Sequence, residues 1–225
     1  MLFCLIKPLK KREKASIVEN EKFNPPGAAD RSMHRRLRGV GYLLGFAGFI
    51  LFFISDANDW KLSCRALKLC FPIGFVLLAA GTARVLSPAR ALLRGPARWA
   101  VLVLAALFLA LEIYTLFFAL SAKEAYTCQG QERPVCKSGV YALCRHPGVL
   151  WFMGLCLCLW AAAGLTLQAA VFFSALDVLL VLFEDRCVFP ARLDGYDDYR
   201  AETPFLLPNR QSIRACCGRG EQRGA

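Results

Sequence analysis

Apolar residues run along this chain in long stretches and do not alternate with polar ones. Three stretches, residues 39–55, 66–86 and 99–121, each approach the roughly 20 residues that a helix needs to cross a bilayer. Strands with one buried face show period-two alternation, and because the chain shows none, strands are not expected. The pattern predicts an all-α, polytopic membrane helix bundle.

A fourth apolar run extends from Val149 to Phe183, and only Gln168 and Asp177 interrupt it with strong polarity. The run is too long for one membrane span and too short for two of full length. Gly164 lies near its middle, which favours a C-terminal hairpin of two short or tilted helices. The sequence therefore predicts about five transmembrane helices.

Polar segments frame these helices. Residues 1–38 are rich in lysine and arginine and contain an Asn-Pro-Pro-Gly turn, which indicates a basic, flexible leader. A basic, disordered tail is expected over 211–225. Between them we assign 39–121 to three membrane helices and 122–210 to a region that contains the hairpin, 149–183.

Composition supports a membrane location. The chain is 56% hydrophobic, its mean hydropathy is +0.41 and its formal net charge is +11. In so apolar a chain, excess positive charge favours contact with anionic lipid headgroups. The sequence contains no RNA- or DNA-binding motif, so the expected partner is the bilayer and not nucleic acid.

Basic residues do not decide the orientation of five spans. One side carries ten in the leader and four in 84–98, and the other carries three in 56–68, four in 122–148 and seven from Arg186 onward. Each side thus holds 14, a tie. The leader adjoins the first span and would normally place its own side in the cytosol.

Eleven cysteines offer several kinds of chemistry. Cys128, Cys136 and Cys144 recur every eight residues, a wider spacing than the close pairs of zinc sites, so free thiols are favoured over a metal. A Cys128–Cys136 disulfide would require an oxidising compartment. Cys216 and Cys217, in the basic tail, are candidates for acylation.

Two acids fall inside predicted spans, Glu112 in the third and Asp177 in the fifth. Intramembrane carboxylates are costly and are functional candidates by default. The alternative is that each faces the bundle interior with a polar partner.

A predicted hairpin brings the loop before the fourth span to the same face as the segment after the fifth. Segments 137–148 and 183–209 would then meet, and Pro147 suits the first position of the fourth helix. Together they supply a cation pair, a carboxylate pair and three phenols. The candidate site residues are Tyr141, Arg145, His146, Glu184, Asp185, Tyr196 and Tyr199.

This set suits a zwitterionic cofactor with an amino acid end. Arg145 could bind its carboxylate, Glu184 its ammonium, and Tyr141 could stack on a base or face a sulfonium. S-adenosylmethionine has all three features, and methyl transfer chiefly needs proximity, alignment and exclusion of water. The alternative from the residues alone is ordinary anchoring of charged and aromatic side chains at the membrane border.

In their order, these residues resemble the integral-membrane methyltransferase superfamily, which includes isoprenylcysteine carboxyl methyltransferases and phospholipid N-methyltransferases. The resemblance covers about 137–208. Its elements are Gly139 and Tyr141, Arg145-His146-Pro147, a helical hairpin, Glu184-Asp185, Tyr196 and Tyr199, and a stretch from Pro204 to Pro208.

The resemblance implies that Arg145, His146, Glu184 and Asp185 line an S-adenosylmethionine pocket, which Tyr141 and the pair Tyr196 and Tyr199 shape or cover. It assigns no catalytic residue and no metal. The acceptor would be lipid-like or membrane-associated: an isoprenylcysteine carboxylate, a lipid amine or a small thiol.

The resemblance also implies a location. The protein would lie in the inner or plasma membrane of a bacterium, or in the endoplasmic reticulum of a eukaryote. Because the cofactor is made in the cytosol, the site should face it, against the orientation that the leader favours.

Two other functions stay open. Sterol reductases also carry an Arg-His-Pro segment, and their Tyr-rich ends resemble residues 199–208, which would imply an NADPH-dependent membrane reductase. A non-enzymatic membrane scaffold or carrier is the third possibility.

Overall fold

The computed structural model describes residues 28–118 and 133–218, so predictions that depend on other residues, such as Cys128, lie outside it. The described part is mostly helical. Four of its helices are long and apolar enough to cross a membrane, and a fifth apolar helix, Pro147–Ala163, is shorter. The four are Arg36–Leu62, Ala66–Val85, Gly95–Phe117 and Leu167–Arg192. This confirms an all-α architecture of membrane type.

The chain divides into two compact units, residues 1–37 and 38–225, and apart from the first residues of α1 the features below belong to the second. The α-helices are α1 (Ala28–Ala57), α2 (Cys70–Val85), α3 (Gly95–Phe117), α4 (Pro147–Cys158), α5 (Leu167–Phe183), α6 (Phe189–Arg192), α7 (Tyr196–Glu202) and α8 (Arg210–Gly218). Wider π-type turns continue three of them, at Asn58–Leu62, Leu159–Ala163 and Glu184–Val188. Short 3-10 turns are formed by Ala66–Leu69, Pro88–Arg90 and Gly139–Ala142.

One small strand pair departs from the prediction that strands are absent. The two-residue strands β1 (Arg133–Pro134) and β2 (Leu193–Asp194) pair in parallel. Alternation cannot reveal strands this short, since two residues contain only one period. The pair joins the segment before α4 to the segment after α6.

Helix extends further at both ends than the sequence predicts. α1 begins at Ala28, inside the expected flexible leader, and no proline or glycine follows until Gly39. α8 occupies the first part of the tail expected to be disordered. Asn209 and Ser212 cap it reciprocally, because Ser212 N–H donates to Asn209 Oδ1 (2.8 Å) and Asn209 N–H donates to Ser212 Oγ (3.0 Å).

Prolines mark the beginnings of two helices. α4 begins at Pro147, as predicted. α3 begins at Gly95, and Pro96 is its second residue. The helix thus begins before the predicted stretch 99–121, and it ends at Phe117. A first-turn proline loses no helical hydrogen bond, so both helices begin where the sequence permits.

Glycines bring α1 and α2 into backbone contact. A Cβ atom added at Gly81 would lie 2.6 Å from the carbonyl oxygen of Gly41, and one at Gly48 would lie 2.7 Å from that of Gly74. Small residues allow membrane helices to approach this closely, so that packing replaces the hydrophobic effect that lipid cannot supply.

Aromatic rings fill the core where α1 meets the hairpin. Phe173 of α5 is fully buried, and its ring occupies the space in which a Cβ of Gly45 would stand. Phe49 is also buried and makes edge contacts with Phe52 (5.7 Å between ring centroids) and with Phe152 of α4 (6.2 Å). These rings fix the hairpin against the first span.

The hairpin turns at Gly164, within the predicted segment. Gly164 has φ +79°, and a Cβ there would collide with the carbonyl oxygen of Ser87, so both its conformation and its contact require glycine. The backbone N–H groups of Leu92 and Leu93 donate to the Ala161 carbonyl (2.9 and 3.0 Å). The α2–α3 connection therefore closes the hairpin at the end far from Pro147.

Substituting Gly81 by alanine should destabilise the protein although alanine is the better helix former. The added methyl group meets the backbone of α1, and overpacking of this kind costs about 1–3 kcal/mol. Gly39→Ala is the matched control, since a Cβ at Gly39 meets nothing within 4 Å. Free energies of unfolding in mixed micelles measure both, and equal stability of the two variants would contradict the close contact.

Candidate functional site

The two polar segments singled out in the sequence meet at one end of the hairpin. The backbone N–H of Arg145 donates to the Pro204 carbonyl (3.0 Å), and that of His146 donates to the Phe205 carbonyl (3.3 Å). All seven predicted site residues lie in or beside this junction. The segment 203–205 thus lies directly along the turn that leads into α4.

Asp185 is the centre of the junction, although it is only 3% exposed. Its Oδ1 lies 2.9 Å from Arg145 Nε and accepts a hydrogen bond from the Tyr196 hydroxyl at 2.6 Å. Its Oδ2 accepts from Arg145 Nη2 (3.3 Å) and lies 3.6 Å from Arg200 Nε. A carboxylate removed from water needs such partners, and here they come from two other segments of the chain, the loop before α4 and α7.

Arg145 is held on both sides of its guanidinium. Nη1 donates to the carbonyl oxygens of Arg200 (2.7 Å) and Thr203 (3.1 Å), while Nε and Nη2 face Asp185. The plane also lies 5.5 Å from the centroid of the Phe205 ring. Three of its five N–H groups make these hydrogen bonds, and a second N–H on Nη2 is left over. Nε is close to Asp185 but is buried without a hydrogen-bond partner among the described residues.

His146 is buried between rings and acids. It stacks on Phe189 (5.6 Å, 12° between planes) and meets the edge of Phe205 (5.1 Å). Burial lowers the pKa of His146, although its hydrogen bond to Asp185 acts in the opposite direction. The ring is therefore neutral near pH 7.

The neutral ring has a defined tautomer. Nε2 lies 3.3 Å from Asp185 Oδ1, and because a carboxylate only accepts hydrogen bonds, the proton belongs on Nε2. Nδ1 keeps its lone pair and lies 3.7 Å from Glu184 Oε2, too far for a hydrogen bond. His146 thus offers a base on the side of Glu184.

The three tyrosines connect the junction to the spans. The Tyr199 hydroxyl donates to the Tyr141 carbonyl (2.6 Å), and the Tyr141 hydroxyl donates to the Thr115 carbonyl in the last turns of α3 (3.2 Å). Burial raises the pKa of Tyr141 to about 12 and raises the pKa of Tyr196 and of Tyr199. All three phenols are neutral donors near pH 7.

Asp56 belongs to the site but was not predicted. It lies in the last turn of α1, and its carboxyl group adjoins the Glu184 carboxyl group. Nearby Asn58 is fully buried and accepts the Cys64 N–H on Oδ1 (2.7 Å). The signal was available in the sequence, because Ser55, Asp56 and Asn58 interrupt the apolar pattern together.

Two adjoining carboxyl groups suit a cation. Asp56 and Glu184 repel each other when both are ionised, and a positive group between them relieves the repulsion. The side chain of Glu184 is 21% exposed, whereas that of Asp185 is 4% exposed.

Glu112 and Asp177 lie deeper in the bundle. The Glu112 carboxyl group lies beside Gly148, since a Cβ added at Gly148 would be 3.4 Å from Glu112 Oε2. Within the described residues, that oxygen is buried and has no hydrogen-bond partner. Glu112 and Asp177 interact electrostatically, so the two acids lie near each other within the bundle.

Cysteines do not build a metal centre in the described part of the chain. No group of three or more His, Cys, Asp or Glu residues within 28–118 and 133–218 could hold a metal ion. Cys136 and Cys144 are free thiols, and burial raises the pKa of Cys144 to about 11, which keeps it protonated. The predicted Cys128–Cys136 alternative lies partly outside the described residues.

A cleft of about 280 Å³ opens beside the junction. Its lining includes Thr203, whose carbonyl binds Arg145, and residues of the Gly139–Ala142 turn and of α8. Lys137 and Glu202 also line it and lie 3.9 Å apart. None of the seven predicted site residues belongs to this lining.

No protein-family model, curated protein or solved structure matches this chain.

Replacing Asp185 by asparagine should destabilise the protein strongly. The change leaves the buried Arg145 guanidinium without its counter-charge, and breaking a buried pair in this way costs about 3–5 kcal/mol. Tyr196→Phe removes one hydrogen bond and should cost about 1–2 kcal/mol. Asp197 is exposed, so Asp197→Asn is the control. Free energies of unfolding in mixed micelles rank the three variants. Equal stability of Asp185→Asn and Asp197→Asn would contradict the central role of Asp185.

Stability should fall in mild acid because of His146. Its folded pKa is lowered, whereas an unfolded histidine titrates near pH 6.5. Protons therefore bind the unfolded chain first, and the stability that the neutral ring contributes is complete above pH 6.5 and is lost as the pH falls below it.

The variant His146→Gln cannot titrate and should lose less stability than the parent between about pH 7.5 and pH 5.5. Thermal unfolding over this pH range measures the difference. An unchanged pH profile in His146→Gln would show that the ring is not buried in its neutral form.

Proposed function

We propose that this protein is an S-adenosylmethionine-dependent integral-membrane methyltransferase. The observation that carries the proposal is convergence: Arg145 and His146 lie against Glu184 and Asp185, with Tyr141, Tyr196 and Tyr199 around them. These residues are the ones through which the sequence resembles the superfamily, and they come from three separate segments. Simple border anchoring would not require them to contact one another.

The acidic pair fits the cationic part of the cofactor. Asp56 and Glu184 adjoin each other, and Glu184 is partly exposed. An ammonium or sulfonium placed there would relieve the repulsion between the two carboxylates. We therefore assign Asp56 and Glu184 to the amino end of the cofactor, which adds Asp56 to the set that the sequence provides.

Arg145 has a smaller part in binding than its charge suggests. Most of its N–H groups are engaged by Asp185 and by the carbonyls of Arg200 and Thr203. The remaining N–H on Nη2 is available to a ligand carboxylate. We assign Arg145 and Asp185 chiefly to positioning, since they hold the segment 200–205 over the site.

The bound cofactor would supply an electrophilic methyl group. The chain's own contribution is to orient the reactants and to keep water out, as the rings of Phe189 and Phe205 around His146 indicate. An acceptor that enters as an ammonium must lose a proton before it can attack. The unprotonated Nδ1 of His146, 3.7 Å from Glu184 Oε2, is a base that would take this proton.

The acceptor is proposed to be lipid-like or membrane-associated, because the site lies where the spans end. The candidates are an isoprenylcysteine carboxylate, a lipid amine and a small thiol. The cofactor is water-soluble and cytosolic, so we place the polar end of the hairpin on the cytosolic face. Transfer of a labelled methyl group to membrane extracts distinguishes the three acceptor classes.

Ligand-induced stabilisation tests the proposal directly. S-adenosylhomocysteine at about one hundred times its Kd should stabilise the purified protein by about 2.7 kcal/mol, and NADPH should not. Glu184→Gln keeps the size of the side chain and removes its charge, so it should abolish this response without unfolding the protein. Exposed Asp197→Asn should respond like the parent.

Two results would overturn the assignment. Stabilisation by NADPH and not by S-adenosylhomocysteine would favour the reductase. Parent-like stabilisation of both Glu184→Gln and Asp56→Asn would show that the cofactor binds elsewhere.

A further inference from the structure

The C-terminal helix α8 lies at the level where the membrane spans end. It packs against the Gly139–Ala142 turn, and the Cys216 thiol donates to the Gly139 carbonyl (3.4 Å). That turn is tied to α3 by the hydrogen bond from Tyr141 to the Thr115 carbonyl. Pro147, where an apolar helix begins, follows the turn closely in the chain.

The two faces of α8 differ in character. Ser212 is 4% exposed, and Ala215 and Cys216 are half-buried on the side that packs against the turn. Helical spacing places a second set on the opposite side, and all its members are exposed. These are Arg210, Ile213, Arg214 and Cys217.

The exposed face pairs positive charge with apolar surface. Ile213 is 46% exposed beside two arginines, and Arg210–Gly218 contains no acidic residue. The loop before the helix adds Leu207, which is 78% exposed. Exposing these apolar side chains to water is unfavourable, whereas burying them at the boundary between lipid headgroups and acyl chains is favourable.

We infer that α8 docks on anionic lipid headgroups at the membrane surface. Arg210 and Arg214 would meet lipid phosphates while Ile213 and Leu207 enter the boundary between headgroups and acyl chains. The argument depends on the charge, exposure and place of α8, and it holds whether or not the chain is a methyltransferase. Docking would press α8 onto the turn that carries Tyr141.

Hydrogen–deuterium exchange of the full-length protein in nanodiscs tests this inference. One set of discs contains phosphatidylcholine alone, and the other contains about one-third phosphatidylglycerol. A basic residue near an anionic surface changes the equilibrium about fivefold, so two arginines should slow exchange in 210–218 by up to about thirtyfold in the anionic discs. Because salt screens charge, about 1 M salt should shrink the difference.

The double variant Arg210→Glu/Arg214→Glu should exchange equally in both discs, while peptides of α5 stay protected and report an intact fold. The matched control is Arg94→Glu, an exposed arginine of the α2–α3 connection, which should keep the parent's difference. Ile213→Ser should reduce the part of the protection that survives high salt.

Three results would overturn docking. The first is equal exchange of 210–218 in both discs for the parent, and the second is an undiminished difference in the double variant. The third is protection in neutral discs by soluble glycerol phosphate, since that would assign α8 to a free anion and not to the bilayer.

Discussion

The polar end of this molecule depends on one buried carboxylate. Asp185 is removed from water at the end of an apolar span, and its negative charge would be prohibitive without Arg145, His146 and Tyr196 around it. These partners come from the loop before α4 and from α7. Satisfying one charge thus folds two distant segments together, and the same contacts position Arg145, His146 and Tyr196 of the candidate site.

Much of this arrangement could be predicted because the hairpin simplifies the geometry. The sequence marks its beginning with Pro147 and its turn with Gly164, and two antiparallel helices of similar length must return the chain to its starting face. Local patterns say less about contacts between segments distant in sequence. Asp56 reaches Glu184 from another span, and carbonyl oxygens that occupy Arg145 leave no trace in a sequence. Asn209 and Ser212 are residues typical of a helix cap, but the basic composition around them led to a prediction of disorder where α8 forms.

Two residues of the junction show how closely neighbouring groups are matched in size. Asp185 has a short side chain, yet its carboxylate accepts hydrogen bonds from both Arg145 and Tyr196. Gly148 has no side chain, which leaves room for the Glu112 carboxyl group beside α4. Each contact depends on a specific neighbour.

The glycine contact between α1 and α2 also limits where hydrophobic molecules can enter the bundle from the bilayer. Where Gly81 meets Gly41 and Gly48 meets Gly74, the two backbones touch and leave no width for an acyl chain. Side chains can change rotamer to admit a lipid tail, but backbone atoms in direct contact cannot. This seam therefore acts as a closed wall of the bundle, and any hydrophobic molecule that reaches the polar end of the hairpin from the membrane must pass between other helices.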